Sequence, residues 1–273
     1  MKRDSRNRVN TAILGILLFA LIAGTITGCS SNNESAANDE QSLGTDDIGL
    51  DTPSVMPEGI GYESEYQILP DENGNPVAQV DVKFDELKTL NDDVYAWIYI
   101  PGTEINCAVV CNADDPDYYL QNEIANVEGV FTQNYNSPDF SDRMTVVYGK
   151  SVNGKNPFSD IHKFADKAFF DSNKYIYVCT KERIFTYRIF AAHKAYAEHL
   201  VLGYDFTQDG IFLDYLSHVI EGDDEVDSKA NIDEDTVLVP DDRIVTLSDK
   251  IEGEPDYRYL VQGVLISESE KEK

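Results

Sequence analysis

Cysteine is scarce in this chain, with four residues in 273, at positions 29, 107, 111 and 179. That excludes a disulfide framework for a protein of this length. Positive charge is scarce as well. Lys and Arg number 22 against 50 Asp and Glu, for a formal net charge of −28, and nucleic acid is thereby excluded as a partner, because its binding rests on cations that neutralise phosphates. Long apolar runs are absent except for 12–23, which falls short of the roughly 18 to 20 residues of a spanning helix. There is no internal repeat. Acidic clusters exist at Asp114, Asp115 and Asp117 and at Asp223, Asp224, Glu225 and Asp227, but neither has the spaced ligands and turn glycine of a calcium loop. Neither metal nor cofactor is expected.

What is present begins with a leader. Lys2, Arg3, Arg6 and Arg8 precede the apolar run, and small residues carry it to Gly28 and Cys29, which is the layout of a signal peptide. The segment Ile26-Thr27-Gly28-Cys29 resembles the bacterial lipobox, in which the cysteine thiol accepts a diacylglyceryl group and becomes the first residue after cleavage. The alternative is an ordinary secretory signal with an incidental cysteine. With two acyl chains at about 0.8 kcal/mol per buried CH₂, attachment would be durable. The expectation is an extracytoplasmic protein held on the outer face of the cell membrane through Cys29. Removing residues 1–28 takes away four cations and one acid, which moves the net charge from −28 to −31.

Residues 29–79 are rich in Ser, Asn, Asp, Glu and Gly and lack periodic apolar positions, as expected of a flexible acidic tether. A coil of this length spans on the order of 35 to 40 Å. From 80 to 273 the sequence reads as one globular domain. Phe84, Leu87 and Leu90 predict a short helix, and Phe212, Tyr215, Leu216 and Val219 predict another at 210–220. Between them and after them, the runs 96–100, 105–110, 127–132, 145–148, 175–180, 185–191, 243–248 and 258–265 are rich in β-branched and aromatic residues and bounded by turn formers. Eight such runs predict a barrel or a sandwich. If 105–111 is a strand, Cys107 and Cys111 lie roughly 13 Å apart at about 3.3 Å per residue, too far to bridge. Cys179 is free to pair with either, or all three are small interior residues.

The string from Leu90 to Asn106, LNDDVYAWIYIPGTEIN, resembles the opening of class B sortases, in which a helix leads into a tryptophan-bearing first strand. Further landmarks follow in the family's order: Tyr118-Tyr119-Leu120, Gly129-Val130-Phe131, Val147-Tyr148-Gly149, Phe158, Phe169-Phe170, Thr246-Leu247-Ser248 and Arg258. The resemblance spans about 82–267 and implies an eight-stranded β-barrel with accessory helices and a Gram-positive cell surface. Sortases cut a sorting signal with a cysteine thiolate and pass the acyl group to an amine of a wall peptide or pilin. Nucleophile, histidine and arginine must converge for that. Here the family's Tyr-Gly-His reads Tyr148-Gly149-Lys150, its Thr-Leu-Ser-Thr-Cys reads Thr246-Leu247-Ser248-Asp249-Lys250, and only Arg258 matches. The resemblance therefore implies a degenerate member without transpeptidase activity.

His162, His193, His199 and His218 fall outside the matching position, and none has an acid or cysteine at motif spacing, so each reads as structural or surface. Lys150, Ser248, Asp249, Lys250 and Arg258 are the candidate binding residues. The fold implied by the resemblance would bring Lys150, Lys250 and Arg258 into a pocket of up to three positive charges, suited to an extended peptide, a carboxylate or a wall component. The expected partners are a sorting-signal peptide, a pilin, a wall peptide or an active sortase. Two other readings stay open. In one, Asp249 and neighbouring acids pair with the lysines and seal the cleft. In the other, Ser248 works with Lys150 or Lys250 as a serine-lysine hydrolase or transpeptidase, since 246, 248 and 250 share one face of a strand.

Overall fold

The computed structural model describes residues 66–151, 155–222 and 226–271, all within one compact unit, Leu50–Lys273. The signal segment, Cys29 and most of the proposed tether lie outside the described residues, as do Asp223, Asp224 and Glu225 of the second acidic cluster. The end of the tether stretch differs from expectation. Residues 67–79, assigned to the tether, form a hairpin of β1 (Gln67–Pro70) and β2 (Pro76–Gln79). Its turn carries Gly74 at φ +83°, a backbone conformation that glycine adopts without steric cost. Val77 and Ala78 are buried, and Thr186 donates a hydrogen bond to the Pro76 carbonyl at 2.9 Å. The hairpin is short, its outer strand is exposed throughout, and it sits at the end of a polar stretch, which is why composition alone reads it as tether.

The remaining elements follow in order: α1 (Phe84–Leu90), β3 (Val94–Tyr99), β4 (Asn106–Val110), α2 (Tyr118–Gln121), β5 (Gly129–Phe131), β6 (Met144–Tyr148), a 3₁₀ helix (Pro157–Ala165), α3 (Lys167–Ser172), β7 (Tyr175–Thr180), β8 (Arg183–Tyr196), α4 (Leu200–Gly203), α5 (Asp209–Glu221), β9 (Asn231–Ile232), β10 (Ile244–Ile251) and β11 (Glu254–Glu270). Strands run β11-β10-β6-β5-β4-β3-β7-β8 around the sheet, and β11 pairs with β8 to close an eight-stranded barrel. The eight predicted runs are these eight strands. Among the described strands, only β4–β5 and β6–β10 are parallel pairs.

Two apolar layers explain the pattern of burial. Inside the barrel, Ile98, Cys107, Val130, Val147, Phe185, Val245, Leu247 and Val261 pack together. Outside, Phe212, Leu216 and Val219 of α5 fall at i, i+4 and i+7 and cover Met144, Val146, Phe190 and Leu260. Because β10 lies between these layers, Ile244 through Asp249 are buried on both faces, and the strand surfaces only at Lys250. A third cluster holds Leu87 and Phe84 of α1 against Trp97 and Cys179, each fully buried large side chain contributing about 1.5–3 kcal/mol.

The cysteines are settled by strand alternation. Ile98 pairs with Cys107, and its neighbour Trp97 pairs with Cys179, so the two thiols lie on opposite faces of the wall. Cys107, Cys111 and Cys179 are all free. No helix among the described residues is long and apolar enough to cross a membrane.

Candidate functional site

Strand register assembles the site. Phe131, Tyr148, Ser248, Leu260 and His193 form a single cross-strand row on the outer face of the wall, with strands about 4.8 Å apart. One pleat further out, Lys250 stands directly opposite Arg258 in the antiparallel β10–β11 pair. Side chains so placed have Cβ atoms about 4.5–5.5 Å apart, and like charges there repel. Lys250 is exposed and Arg258 half-buried. Neither has an acidic ion-pair partner among the described residues. Lys150 enters from the end of β6, where the Gly149 N–H bonds to the Ser248 carbonyl at 2.9 Å. Burial holds the Lys150 ammonium pKa below its ordinary value, with attraction from Glu123 opposing and repulsion from Lys250 reinforcing that shift. Burial likewise pushes the Tyr148 phenol up to about 12, with the charge of Arg258 acting against it. Lys250 thus stands within electrostatic reach of Lys150, and Arg258 within reach of Tyr148.

Lys150 is nevertheless occupied. Its Nζ donates to the Tyr119 carbonyl at 2.6 Å and also to the carbonyl of Asn122, which clamps α2 to the end of β6. The three-charge pocket is thus two open charges and one clamped one.

Asp249 does not join the lysines. Period-two alternation turns its side chain into the barrel, where it is 2% exposed. Its Oδ2 accepts from Asn156 Nδ2 at 2.8 Å and meets His162 Nε2 at 3.1 Å. The His162 ring stacks on Tyr259, with centroids 5.1 Å apart. Gly149 is required beside this carboxylate, since a Cβ there would lie 2.7 Å from Asp249 Oδ1 and 2.7 Å from Phe158 Cβ. Pairing of Asp249 with Lys150 or Lys250, the sealed-cleft expectation, is not what the geometry provides.

Ser248 is on the lysine face but only 3% exposed, set between Tyr148 and Leu260 in its row. Thr246, two residues back, is fully buried under α5, its hydroxyl accepting from Gln262 Nε2 at 2.9 Å. Ser248 has no bond to either lysine among those the structure shows. With Lys150 Nζ spent as a donor to two carbonyls, the serine-lysine arrangement lacks its base at that position.

Two histidines have roles that spacing could not reveal. His162 finds its acid 87 residues away, through the packing of the 3₁₀ helix on β10. His199 Nε2 bonds Gln133 Oε1 at 2.7 Å, and Gln133 Nε2 donates to Asp117 at 3.1 Å. Its ring meets Tyr135 edge-on at 5.5 Å and lies 6.3 Å from Tyr148, so it forms part of the wall above the row. No signal in the sequence links residues 117, 133 and 199. No cysteine stands on β10 or β11.

Comparison with known proteins agrees with this architecture. Sortase B of Listeria monocytogenes is 28% identical over 189 residues, covering 67% of this chain and 73% of that protein. Sortase B of Staphylococcus aureus is 25% identical over 169 residues, covering 61% of this chain and 66% of that protein. The structure of a mutant form of Clostridium perfringens sortase B superposes with a TM-score of 0.55 at 27% identity, covering 67% of this chain and 86% of that one. The chain is class B sortase-like. A structure of sortase B complexed with triglycine matches at a TM-score of 0.54 and 25% identity, covering 67% of this chain and 85% of that one. No family model matches the chain. The sortase-like domain thus carries Lys150 at the end of β6 and Lys250 opposite Arg258.

Proposed function

We propose that this protein is a lipid-anchored, non-catalytic sortase-like surface protein that binds the anionic end of an extended peptide or wall component at Lys250 and Arg258. The observation that carries the reading is the like-charged pair itself. Two cations placed directly opposite one another in an antiparallel ladder repel, and the nearest buried acid, Asp249, is turned to the other face of β10 and committed to His162 and Asn156. An arriving carboxylate removes that repulsion and gains charge-assisted hydrogen bonds from the planar fork of Arg258 and the compact ammonium of Lys250. The sortase B complexed with triglycine supports a peptide as the occupant. Absence of a cysteine on β10 and β11 removes the thiolate that transpeptidation requires. Attachment through Cys29 would hold the domain outside the cell membrane, within reach of sorting signals, pilins, wall peptides or an active sortase.

Titration of the full chain with sorting-signal peptides and wall fragments tests the reading. Saturable binding that falls at least about tenfold in Lys250→Glu/Arg258→Glu, with no peptide cleavage, is the expected result. Binding of equal strength in the double reversal overturns the site, and cleavage of the peptide overturns the loss of catalysis.

A further inference from the structure

A concavity lies behind α4. While His199 at the start of that helix faces Tyr135 and Tyr148, Leu200 and Tyr204 line a cavity of about 490 Å³ bounded by α5 and the ends of β8 and β11. Its size is that of a small-molecule site, which typically measures about 300–1,000 Å³. Leu260, the cross-strand partner of Ser248, forms part of its floor.

The wall has a definite chemistry. Tyr204 and Tyr215 meet there with ring centroids 5.3 Å apart at 59°, which makes an aromatic corner. Glu198 and Asp214 line the same space, and neither is ion-paired among the described residues. Among the described residues, Glu198 accepts only the Tyr204 hydroxyl, at 3.3 Å. Burial raises the pKa of both phenols, and the negative field of Glu198 adds to the shift at each. The wall's lysine, Lys194, is neutralised by Glu254 at 2.8 Å. Asp227 spends its carboxylate on the backbone N–H groups of Lys194 and Lys229. The cavity is thus negative and partly aromatic, opposite in sign to the Lys250–Arg258 pair.

We propose that this cavity binds a small organic cation, an ammonium or guanidinium on an apolar stem, with its charge facing Glu198 and Asp214 against the rings of Tyr204 and Tyr215 and its stem on Leu200 and Leu260. Aromatic faces attract such cations, and the attraction grows as water is excluded. An anion meets two unpaired carboxylates, and a neutral ligand leaves them uncompensated. This site stands whether or not the anion-binding reading does, because it shares no charged residue with it.

The test uses the full chain with choline and its uncharged carbon isostere, 3,3-dimethylbutan-1-ol, followed by calorimetry. Choline binds saturably and the isostere at least about tenfold more weakly. Glu198→Gln/Asp214→Asn, both at exposed positions, lowers choline affinity about tenfold. Asp85→Asn removes one negative charge, half as many as the double variant, from an acid paired with Lys181 outside the cavity and leaves choline affinity unchanged. Equal binding of choline and its isostere, an Asp85→Asn loss as large as that of the double variant, or no saturable choline binding overturns the proposal.

Discussion

Asp249→Ala removes a carboxylate that is 2% exposed and takes hydrogen bonds from Asn156 at 2.8 Å and His162 at 3.1 Å. The Asn156 amide then faces a void in place of its acceptor, at a cost of about 1–3 kcal/mol for an unsatisfied buried donor. Its Oδ1 also caps the 3₁₀ helix by accepting from Phe158 N at 3.0 Å, so a reoriented Asn156 loosens that helix as well. The lost contact with His162 adds little, because that side chain is 36% exposed and water replaces the carboxylate. The total is about 1–3 kcal/mol, equivalent to a fall in Tm of about 2–12 °C for a domain of this size. Asp249→Asn keeps an acceptor for Asn156 and costs less than Asp249→Ala. Calorimetry and urea unfolding of both variants measure the difference, and an alanine variant within about 0.5 kcal/mol of the parent refutes the junction. Peptide titration gives a second, independent readout. Because Asp249 faces away from Lys250, Asp249→Asn leaves the affinity of an anionic peptide unchanged; a gain would restore the sealed cleft.

Buried titratable groups give two more tests. Burial pushes the thiol of Cys179 up to about 12 and raises that of Cys107 as well, so Ellman's reagent at pH 8 leaves both unreacted in the native protein. In guanidinium the mature chain yields three thiols if the Cys29 sulfur carries diacylglyceryl and four if it does not, and reaction of Cys107 or Cys179 in the native state contradicts the burial. His193 titrates in the opposite sense to a paired histidine: burial lowers its pKa, outweighing its bonds to Gln262 and the Lys194 carbonyl and the field of Asp227. The unfolded chain therefore takes up its proton first as pH falls, and stability declines below the ordinary histidine value of about 6.5. His193→Gln flattens that part of the stability profile, and an unchanged acid limb rejects the assignment.

The barrel was legible because its strands carry their own signatures. The runs around Trp97, Tyr148, Cys179 and Thr246 are short, branched and punctuated, and order along the chain supplied what composition could not. The hairpin at 67–79 is not legible in the sequence, because β1 is exposed throughout and only Val77 and Ala78 on β2 are buried. At the site, alternation placed Ser248 and Lys250 on one face, and register confirms that they share it. The same alternation should have sent Asp249 to the other face, where it lies. What no spacing could supply was the partner waiting there, since His162 and Asn156 arrive on a separate 3₁₀ helix, 87 and 93 residues away in sequence. The charge of Lys150 is legible in the sequence, whereas its two carbonyl acceptors at the end of α2 are not.

The surviving pair of cations costs little where it stands. Two unit charges as close as the paired Cβ atoms, about 5 Å, repel by under about 1 kcal/mol in a water-like medium and by about 3 kcal/mol at an effective dielectric of ~20, which sets an upper bound for the longer side chains of Lys250 and Arg258. A barrel closed by thirteen paired positions between β8 and β11 carries that burden easily. Screening then separates the two sites. With a Debye length of about 10 Å at 0.1 M salt, binding at the exposed Lys250 is salt-sensitive, whereas a cation seated on Tyr204 and Tyr215 is partly withdrawn from solvent and responds less. A ligand carrying both charges would show the sum of the two dependences, and single-charge probes would separate them.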